Sequence, residues 1–279
     1  MRKSLLLGAL VMLASLSGFA APTQLLYGDN ATSGNPYLYQ IDPTTGNILN
    51  TYTNTSGSNG RGAVVVGNIL YYTTAGDNNV YKYDISTSTN LGVAFSVAGS
   101  SALSTMAYDG TNFWIGDYSG TNHAYLYTPT GTLLNTVSLG NCTGYCDGLE
   151  YFKSGGVGYL ISNRCDAFCG TYDVYDLNGN LVTSNLFTTP NGEGTGIAYD
   201  GSHFFVSNIF GGQVWEFSNT GTLMTTLTLS GWQSGYTPLV EDLSFNYQQV
   251  LGTPEPGTLV MLGTGVLGLA GMLRRKINL

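Results

Sequence analysis

Four cysteines are the residues of this chain whose spacing most directly suggests chemistry. They form two Cys-x₃-Cys pairs separated by eighteen residues, Cys142 with Cys146 and Cys165 with Cys169. Such pairs can bind Zn²⁺, although the commoner zinc knuckle has two residues between its cysteines. In an oxidising compartment the same four residues form disulfides instead. The choice therefore depends on where the chain is delivered.

Carboxylate and amide side chains are the second candidate group. Asp147, Glu193 and Glu241 carry carboxylates, and Asn163 and Asn208 carry amides. A hard cation such as Ca²⁺ binds about six to eight oxygen atoms, which side chains of these types supply. The sequence has no compact calcium-binding loop of the EF-hand type. These residues therefore form a site only if the fold brings them together.

Candidates for catalysis are few. The chain has two histidines, His123 and His203, and no G-x-S-x-G motif. A general base or a Ser-His-Asp triad needs a histidine beside a nucleophile, and neither histidine lies in such a motif. Both are expected to be solvated loop or turn residues.

Five similar short segments recur along the chain and predict the elements that position these residues. They cover residues 25–29, 69–73, 113–117, 159–163 and 204–208, at steps of 44, 44, 46 and 45 residues. A period in the forties with about four strands per unit indicates a β-propeller. The expected fold is therefore all-β, a five-bladed β-propeller over residues 21–247. A parallel β-helix or a sandwich is the alternative, but a sandwich gives no reason for such a repeat.

The two ends of the repeat region predict how the ring closes. The first repeat has only three predicted strands, at 25–29, 37–41 and 48–53, and a lone strand at 242–247 follows the last repeat. We expect this C-terminal strand to pair with the N-terminal strands as the innermost strand of the first blade. Such closure leaves only short, protected sheet edges.

The repeat pattern itself resembles a known superfamily. Residues 198–221 contain Ala-Tyr-Asp-Gly, Phe-Phe-Val-Ser-Asn, Val-Trp-Glu-Phe and Thr-Gly in that order. This is similar to the NHL and gluconolactonase-like propellers. The resemblance implies the fold. In gluconolactonase-like proteins, acidic and Asn residues in similar places hold a divalent metal.

Propeller geometry divides the polar residues between two faces. Tight turns join the first to the second strand and the third to the fourth on one face, where Asp109, Asp176 and Asp200 are expected to be structural turn residues. The five oxygen-bearing candidates open innermost strands or end second strands, so they are expected around the axial channel on the opposite face. They hold Ca²⁺ there, as the resemblance implies, or they cap strand ends and pair with Arg61 and Arg164.

The same layout predicts the cysteine pairing. Cys146 directly precedes an innermost strand and Cys165 follows the second strand of the same hairpin, so both lie at one end of it. We expect bonds between Cys146 and Cys165 and between Cys142 and Cys169. Pairing within each Cys-x₃-Cys, or metal binding, is the alternative.

Aromatic residues in the predicted long loops suggest a ligand class. Exposed rings beside Asn and Asp suit stacking on sugar rings, whereas buried ones would fill gaps between blades. The residues concerned are Tyr118, Tyr145, Phe168, Phe210, Trp232 and Tyr236.

Both ends of the chain predict export. Arg2 and Lys3 precede an apolar run at 5–16 and small residues at 18–20, which predicts a signal peptide at 1–20, with an uncleaved anchor as the alternative. After a spacer at 248–253, the C-terminus has an uncharged stretch at 257–273. Seventeen residues at a rise of about 1.5 Å span roughly 26 Å, close to the bilayer core, so a C-terminal transmembrane helix is expected.

The residues around that stretch resemble the PEP-CTERM signal of Gram-negative bacteria. The tail at 254–279 combines a tripeptide, the apolar stretch and a basic cluster: Pro254, Glu255, Pro256, Arg274, Arg275 and Lys276. The basic cluster is expected on the cytoplasmic side. The resemblance implies an exosortase-type sorting peptidase as partner, a membrane-anchored precursor, and delivery to the cell surface or the extracellular space. Export in turn favours disulfides over zinc.

Charge excludes one class of partner. The body at 21–253 has Arg61, Lys82, Lys153 and Arg164 against sixteen acidic residues, a net charge of 4 − 16 = −12. Nucleic acid and anionic membranes are therefore unfavourable partners. A noncatalytic surface or matrix protein that binds an exopolysaccharide or a protein is the favoured interpretation. The alternative is a Ca²⁺-dependent lactonase or hydrolase with its site in the channel.

Overall fold

The chain is a five-bladed β-propeller in the computed structural model, which describes residues 24–31, 38–53, 59–165, 169–231 and 239–248. The described residues form five antiparallel sheets of four strands each, which we call blades 1 to 5. Short strands that alternate with Gly, Asn and Asp turns favour this architecture. The predicted all-β, five-bladed propeller is confirmed, and the predicted C-terminal helix at 257–273 lies outside the described residues.

The strands follow the chain from the axis outward in blades 2 to 5. Blade 2 holds β4 (Gly60–Val66), β5 (Ile69–Thr74), β6 (Asn79–Asp84) and β7 (Thr89–Ser96). Blade 3 holds β8 (Leu103–Tyr108), β9 (Phe113–Asp117), β10 (His123–Tyr127) and β11 (Leu133–Ser138). Blade 4 holds β12 (Leu149–Ser154), β13 (Val157–Asn163), β14 (Thr171–Tyr175) and β15 (Leu181–Thr188). Blade 5 holds β16 (Ile197–Tyr199), β17 (His203–Asn208), β18 (Gln213–Ser218) and β19 (Leu223–Thr228).

Blade 1 is built from both ends of the propeller and closes the ring as expected. Its order is β20 (Val240–Phe245), β1 (Leu26–Asn30), β2 (Leu38–Ile41) and β3 (Ile48–Tyr52). Leu26 pairs with Phe245 and Gly28 with Leu243 in the antiparallel ladder between β1 and β20. The innermost strands then pack in the order β20, β4, β8, β12, β16 and back to β20.

Hydrophobic side chains hold each blade on its neighbour. Five buried clusters fill the five spaces between adjacent blades; for example, Phe187, Phe204 and Phe217 pack between blades 4 and 5. The rings of Phe187 and Phe217 stack with centroids 4.2 Å apart. Burial of these faces is the main favourable term for the ring, because each blade is apolar on both sides.

Hydrogen bonds of polar side chains join the innermost strands at the axis. The Oδ2 atom of Asp242 accepts from the Ala63 N–H of blade 2 at 3.0 Å and from the Met106 N–H of blade 3 at 3.2 Å. On the other side, the Glu241 carbonyl accepts from the Gly196 N–H of blade 5 at 2.7 Å. The closing strand therefore contacts three other blades through its own polar groups.

The propeller has two different faces. The turns after the first and third strands of blade 2 lie together, since the Ile85 N–H donates to the Asn68 carbonyl at 2.9 Å. We call this side the tight-turn face and the opposite side, with the longer connections, the loop face. Asp109, Asp176 and Asp200 each accept the backbone N–H two residues on, at 2.7 to 2.9 Å, as expected of structural turn residues.

Candidate functional site

A partly buried cationic side chain occupies the loop-face end of the axis. Arg61, near the start of β4, places Nη1 2.9 Å from Oε1 of Glu241 in blade 1 and 3.5 Å from Oδ2 of Asp147, which precedes blade 4. Its Nη2 donates to the Tyr118 hydroxyl of blade 3 at 3.1 Å. We call these four residues the Arg61 cluster. It connects four of the five blades at the mouth of the channel.

Two glycines flank Arg61 at a point where neighbouring strands approach closely. A Cβ atom on Gly60 would lie 2.9 Å from the Asn30 carbonyl and from Oδ2 of Asp29, and one on Gly62 would lie 2.7 Å from the Ser104 carbonyl. Close approach of neighbouring strands therefore requires glycine at positions 60 and 62, on both sides of Arg61.

The electrostatics of the cluster follow from burial. Burial would lower the pKa of Arg61, but the Glu241 and Asp147 carboxylates raise it above its usual range. Burial raises the pKa of Glu241 well above its usual value, although the Arg61 guanidinium opposes that shift. Burial also raises the pKa of Asp29 to about 7. Among the described residues, Oδ2 of Asp29 and Oε2 of Glu241 are buried oxygens without a hydrogen-bond partner.

An aromatic pair covers the cluster towards solvent. The Arg61 guanidinium carbon lies 4.3 Å from the ring centroid of Tyr118. The rings of Tyr118 and Tyr145 are 5.0 Å apart and inclined at 56°, and Tyr145 is 41 % exposed. We call Tyr118 and Tyr145 the aromatic pair. Its exposed ring surface lies directly beside buried carboxylates and a guanidinium.

A disulfide holds the loop that carries Tyr145. Cys142 and Cys146 are bonded to each other, and Cys165 is bonded to Cys169. Both pairs have the short Cα separations that disulfides require, 5.9 and 5.3 Å. The prediction that all four cysteines form disulfides is confirmed.

The predicted connectivity, Cys146 with Cys165 and Cys142 with Cys169, is wrong. The hairpin does bring the two loops together, because the Thr143 N–H donates to the Arg164 carbonyl at 2.7 Å. That contact is made by the backbone. Each disulfide instead joins two cysteines of the same loop, and Cys142 and Cys146 are buried in the cluster between blades 3 and 4.

The five predicted metal ligands do not form one ligand set. Asp147 and Glu241 are brought together, but the Arg61 guanidinium lies between them. Both amide groups are engaged with the backbone: Oδ1 of Asn163 accepts from the Gly148 N–H at 3.0 Å, and Oδ1 of Asn208 accepts from the Gly211 N–H at 2.9 Å. The described residues contain no group of three or more His, Cys, Asp or Glu side chains arranged to hold a metal ion.

The hydrogen bonds of Glu193 involve none of the residues of the Arg61 cluster that bond to Arg61. Its Oε2 accepts from Nδ2 of Asn191 at 2.5 Å, and its N–H donates to Oδ1 of the same residue at 3.1 Å. These bonds close a local turn before β16. The Ca²⁺ ion that the family resemblance implies therefore does not fit the side chains that were predicted to bind it.

The remaining candidates are distributed over both faces or lie outside the described residues. Phe210 is 51 % exposed in the loop after β17. His203 is on the tight-turn face, with Nδ1 3.4 Å from carboxylate oxygens of Asp200 and Glu216, and His123 packs its ring edge on Tyr125. Phe168, Trp232, Tyr236 and the sorting residues 254–256 and 274–276 lie outside the described part of the chain.

Sequence reasoning missed the polar group at the other end of the axis. Glu150 of β12 is fully buried and accepts hydrogen bonds from the Tyr151 N–H at 2.6 Å, the Tyr199 N–H at 3.2 Å and the Tyr247 hydroxyl. Burial raises the pKa of Glu150 to about 8. A Glu between Leu149 and the aromatic residues Tyr151 and Phe152 of an inner strand was the available signal.

Comparisons with known proteins agree with the two parts of this description. Residues 253–276 match the model of the PEP-CTERM protein-sorting motif. The chain therefore carries this motif after a five-bladed propeller body. No curated protein matches the sequence.

Solved structures resemble the propeller at low sequence identity. A nidogen/laminin complex gives a TM-score of 0.53 at 10% identity, over 81% of this chain and 99% of that chain. A protein of unknown function from Bacteroides caccae gives 0.50 at 13% identity, over 80% of this chain and 99% of that chain. At this level of identity both likenesses show the fold alone.

The sorting motif implies export and a membrane-anchored precursor at the cell surface. Within the part of the chain that the structure describes, no helix has the length and apolar character needed to cross a bilayer.

Proposed function

We propose that the chain is a noncatalytic surface protein that binds a neutral polysaccharide at the aromatic pair. The observation that carries this proposal is the exposed ring of Tyr145 beside Tyr118, at the channel mouth on the loop face. Amphipathic tyrosine rings combine an apolar face for a sugar ring with a hydroxyl for its polar groups.

The rigidity of this surface supports binding. Tyr118 directly follows β9 and its hydroxyl accepts from Arg61, while the Cys142–Cys146 disulfide constrains the loop of Tyr145. Rings that are already held in place lose little conformational entropy when a ligand binds. A preformed aromatic surface therefore needs fewer contacts to reach a given affinity.

The charge of the site favours a neutral ligand over an anionic one. The Arg61 guanidinium is engaged by Glu241 and Asp147, so it offers no uncompensated positive charge. The surrounding body has a net charge of −12 by the count given above, from four basic and sixteen acidic residues. Acidic polysaccharides and nucleic acid would be repelled.

Delivery to the surface follows from the tail. We expect residues 1–20 to act as a signal peptide and an exosortase-type peptidase to recognise Pro254, Glu255 and Pro256. Residues 257–273 would hold the precursor in the membrane until that step, with residues 248–253 as spacer and 21–247 as the exported propeller. An extracellular matrix rich in exopolysaccharide is a setting in which such a binding protein would act.

A lactonase or hydrolase is the weaker candidate. Such an enzyme would need a metal or a polarised nucleophile in the channel. The position between Asp147 and Glu241, where a cation would be held, is taken by the Arg61 guanidinium. Hydrolysis of lactones by the purified body, lost in Glu241→Gln, would favour the enzyme instead.

A glycan-binding measurement tests the proposal. Residues 21–253 would be applied to immobilised neutral polysaccharides, dextran and galactomannan, and to the acidic polymer alginate. We expect binding to a neutral polymer, reduced about threefold to tenfold in Tyr145→Ala and retained in Tyr145→Phe, since aromatic stacking contributes about 0.5 to 1.5 kcal/mol. Val157→Ala, an exposed apolar residue on the tight-turn face, is the matched control. Equal binding by Tyr145→Ala, or binding to alginate alone, would refute the proposal.

A further inference from the structure

The chain leaves the propeller on the tight-turn face. After β20, Asn246 forms two hydrogen bonds with Gly67, one from the Gly67 N–H at 2.9 Å and one to the Gly67 carbonyl at 2.8 Å. Gly67 is in the tight turn between β4 and β5. The Gln248 N–H then donates to Oδ1 of Asn246 at 3.2 Å, so the last described residue is still at this turn.

The chain also enters the propeller on the tight-turn face. Leu26, the first residue of β1, is paired with Phe245 at the end of β20 and with Ile41 at the end of β2. The Asp42 turn follows Ile41 directly, so this end of β1 lies on the tight-turn side. Residues that precede Gln24 and residues that follow Gln248 are therefore attached to the same face.

We propose that the anchored precursor stands with its tight-turn face towards the bilayer and presents its loop face away from it. Residues 249–256 connect the propeller to the apolar stretch of the sorting motif, and eight extended residues reach at most about 28 Å. A tether of that length, attached at the axis of one face, does not allow the opposite face to turn towards the lipid. The proposal requires an anchored tail and is independent of any polysaccharide binding.

The charges of the tight-turn face determine the kind of contact. Asp42, Asp84 and Asp176 lie in its turns, and hydrogen bonds from their own turn residues lower the pKa of each carboxyl. These three carboxyl groups remain ionised near neutral pH. Lys153, near the end of β12, adds one positive charge to the same face. Anionic headgroups would repel this face. A layer of water therefore separates the tight-turn face from the bilayer surface. The orientation is set by the connecting residues 249–256 and not by attraction between this face and the lipid.

The orientation has a consequence for the sorting step and for binding. The Pro-Glu-Pro tripeptide at 254–256 is kept beside the membrane under the propeller, where a membrane peptidase works. Tyr145 and the Arg61 cluster are at the other end of the inner strands, about 20 Å farther from the lipid for strands of this length. The loop face is thus accessible to a polymer before the tail is removed.

Distances from the membrane to two engineered cysteines test the proposal. Thr111 lies in the exposed turn before β9, on the tight-turn face, and Ser119 lies in the exposed loop after the same strand, on the loop face. The two substitutions are Thr111→Cys and Ser119→Cys. The full chain with either substitution would be labelled with a donor dye and reconstituted in phosphatidylcholine vesicles that carry an acceptor on the headgroup. The native cysteines do not react because they are in disulfides.

We expect energy transfer to be about threefold greater from Thr111→Cys than from Ser119→Cys, for heights that differ by about 20 Å. Proteolytic release of the propeller within 249–253 should abolish transfer from both. Equal transfer, or greater transfer from Ser119→Cys, would overturn the orientation. A chain that does not float with the vesicles would also overturn the proposal, because it would show that the tail does not anchor the chain in the bilayer. Either result would leave the glycan binding proposed for residues 21–253 unaffected.

Discussion

Tyr247, two residues after the closing strand, donates its phenol hydrogen to the buried carboxyl group of Glu150, 97 residues earlier in the chain. Tyr247 follows blade 1 and Glu150 belongs to blade 4, so the bond crosses the axis of the ring. The Tyr108 ring of blade 3 packs edge to face on Tyr247 at 5.9 Å. A hydrogen bond between one phenol and one carboxyl group, with an aromatic ring packed beside it, therefore crosses the channel.

The pH dependence of stability is the first prediction. Burial raises the pKa of Glu150 from 4.5 to about 8, and hydrogen bonds from Tyr247, Tyr151 and Tyr199 oppose the shift. In the folded state Glu150 keeps a proton that it loses above about pH 4.5 in the unfolded state. The free energy of unfolding therefore falls as the pH rises from 4.5 towards 8, by about 1.4 kcal/mol per pH unit for this group. Asp29, with a pKa of about 7, acts in the same direction.

Glu150→Gln tests this prediction, because glutamine cannot ionise. Unfolding by guanidinium at pH 5, 7 and 8.5 should give a shallower pH dependence for Glu150→Gln than for the wild type. Asp176→Asn serves as the control and should keep the wild-type slope, because hydrogen bonds within its turn lower the pKa of Asp176 and keep it ionised over this range. A wild-type slope in Glu150→Gln would show that Glu150 is not the group that titrates.

The repeat made the fold predictable from sequence. The predicted second strand at 113–117 is observed as Phe113–Asp117, because aromatic and β-branched residues end there at an Asp and a Gly-containing loop. The closing strand was expected at 242–247 and is observed at Val240–Phe245. The difference arises because Asn246 uses its side chain to bond Gly67, and Tyr247 turns towards Glu150.

Contacts between distant segments account for what the sequence did not predict. Asp147 and Glu241 were expected on one rim and do meet, and Arg61 was among the expected ion-pair partners. Their arrangement around one guanidinium depends on the close approach of β4 and β20, which no local pattern encodes. The predicted disulfide pairing was wrong for a similar reason. The hairpin determines which two loops meet, but it does not determine which cysteines bond to each other.

Replacement of Arg61 is the second prediction. Arg61→Met leaves Glu241 and Asp147 buried without their cation, and loss of one partner of a buried ion pair costs about 3 to 5 kcal/mol. The loss should be smaller at pH 5 than at pH 8, because burial already raises the pKa of Glu241 and a bound proton can replace the charge. Chemical unfolding at both pH values measures it.

Arg164→Met is the matched control for Arg61. Arg164 also pairs with a buried carboxylate, Asp173, but Arg164 itself is 36 % exposed. Asp173 keeps hydrogen bonds from Nδ2 of Asn141 at 2.9 Å and from the Asn185 N–H at 2.6 Å. A smaller loss than in Arg61→Met is therefore expected. Equal losses would contradict the special position of Arg61 at the axis.

Disulfide mapping is the third prediction. Lys153 and Arg164 are the only basic residues between Cys146 and Cys165, so trypsin separates the two cysteine pairs into peptides 83–153 and 165–274. The observed bonds lie within these peptides. Mass spectrometry of the denatured, unreduced chain should find two separate peptides, each gaining two hydrogens on reduction. One cross-linked species would restore the pairing expected from the hairpin.

Metal content is the fourth prediction. The predicted ligands are dispersed, and the two that meet are neutralised by Arg61 rather than by an ion. The purified body should hold no stoichiometric calcium by atomic emission, and a chelator should leave its melting temperature unchanged. One ion per chain, with a melting temperature that rises on addition of calcium chloride, would reverse this conclusion and favour the metal-dependent alternative.

The closing strand gives the fifth prediction. A chain that ends at Gln248 retains β20, whereas a chain that ends at Leu239 leaves the β1 edge unpaired and removes the Asp242 contacts with blades 2 and 3. It also removes the carbonyl that accepts from Gly196 of blade 5. The shorter chain should therefore show no cooperative melting. A separate peptide of residues 239–248 should restore cooperative melting, because β20 contacts the other strands of the ring only through noncovalent bonds. Melting of both chains at one temperature would mean that the ring does not depend on this closure.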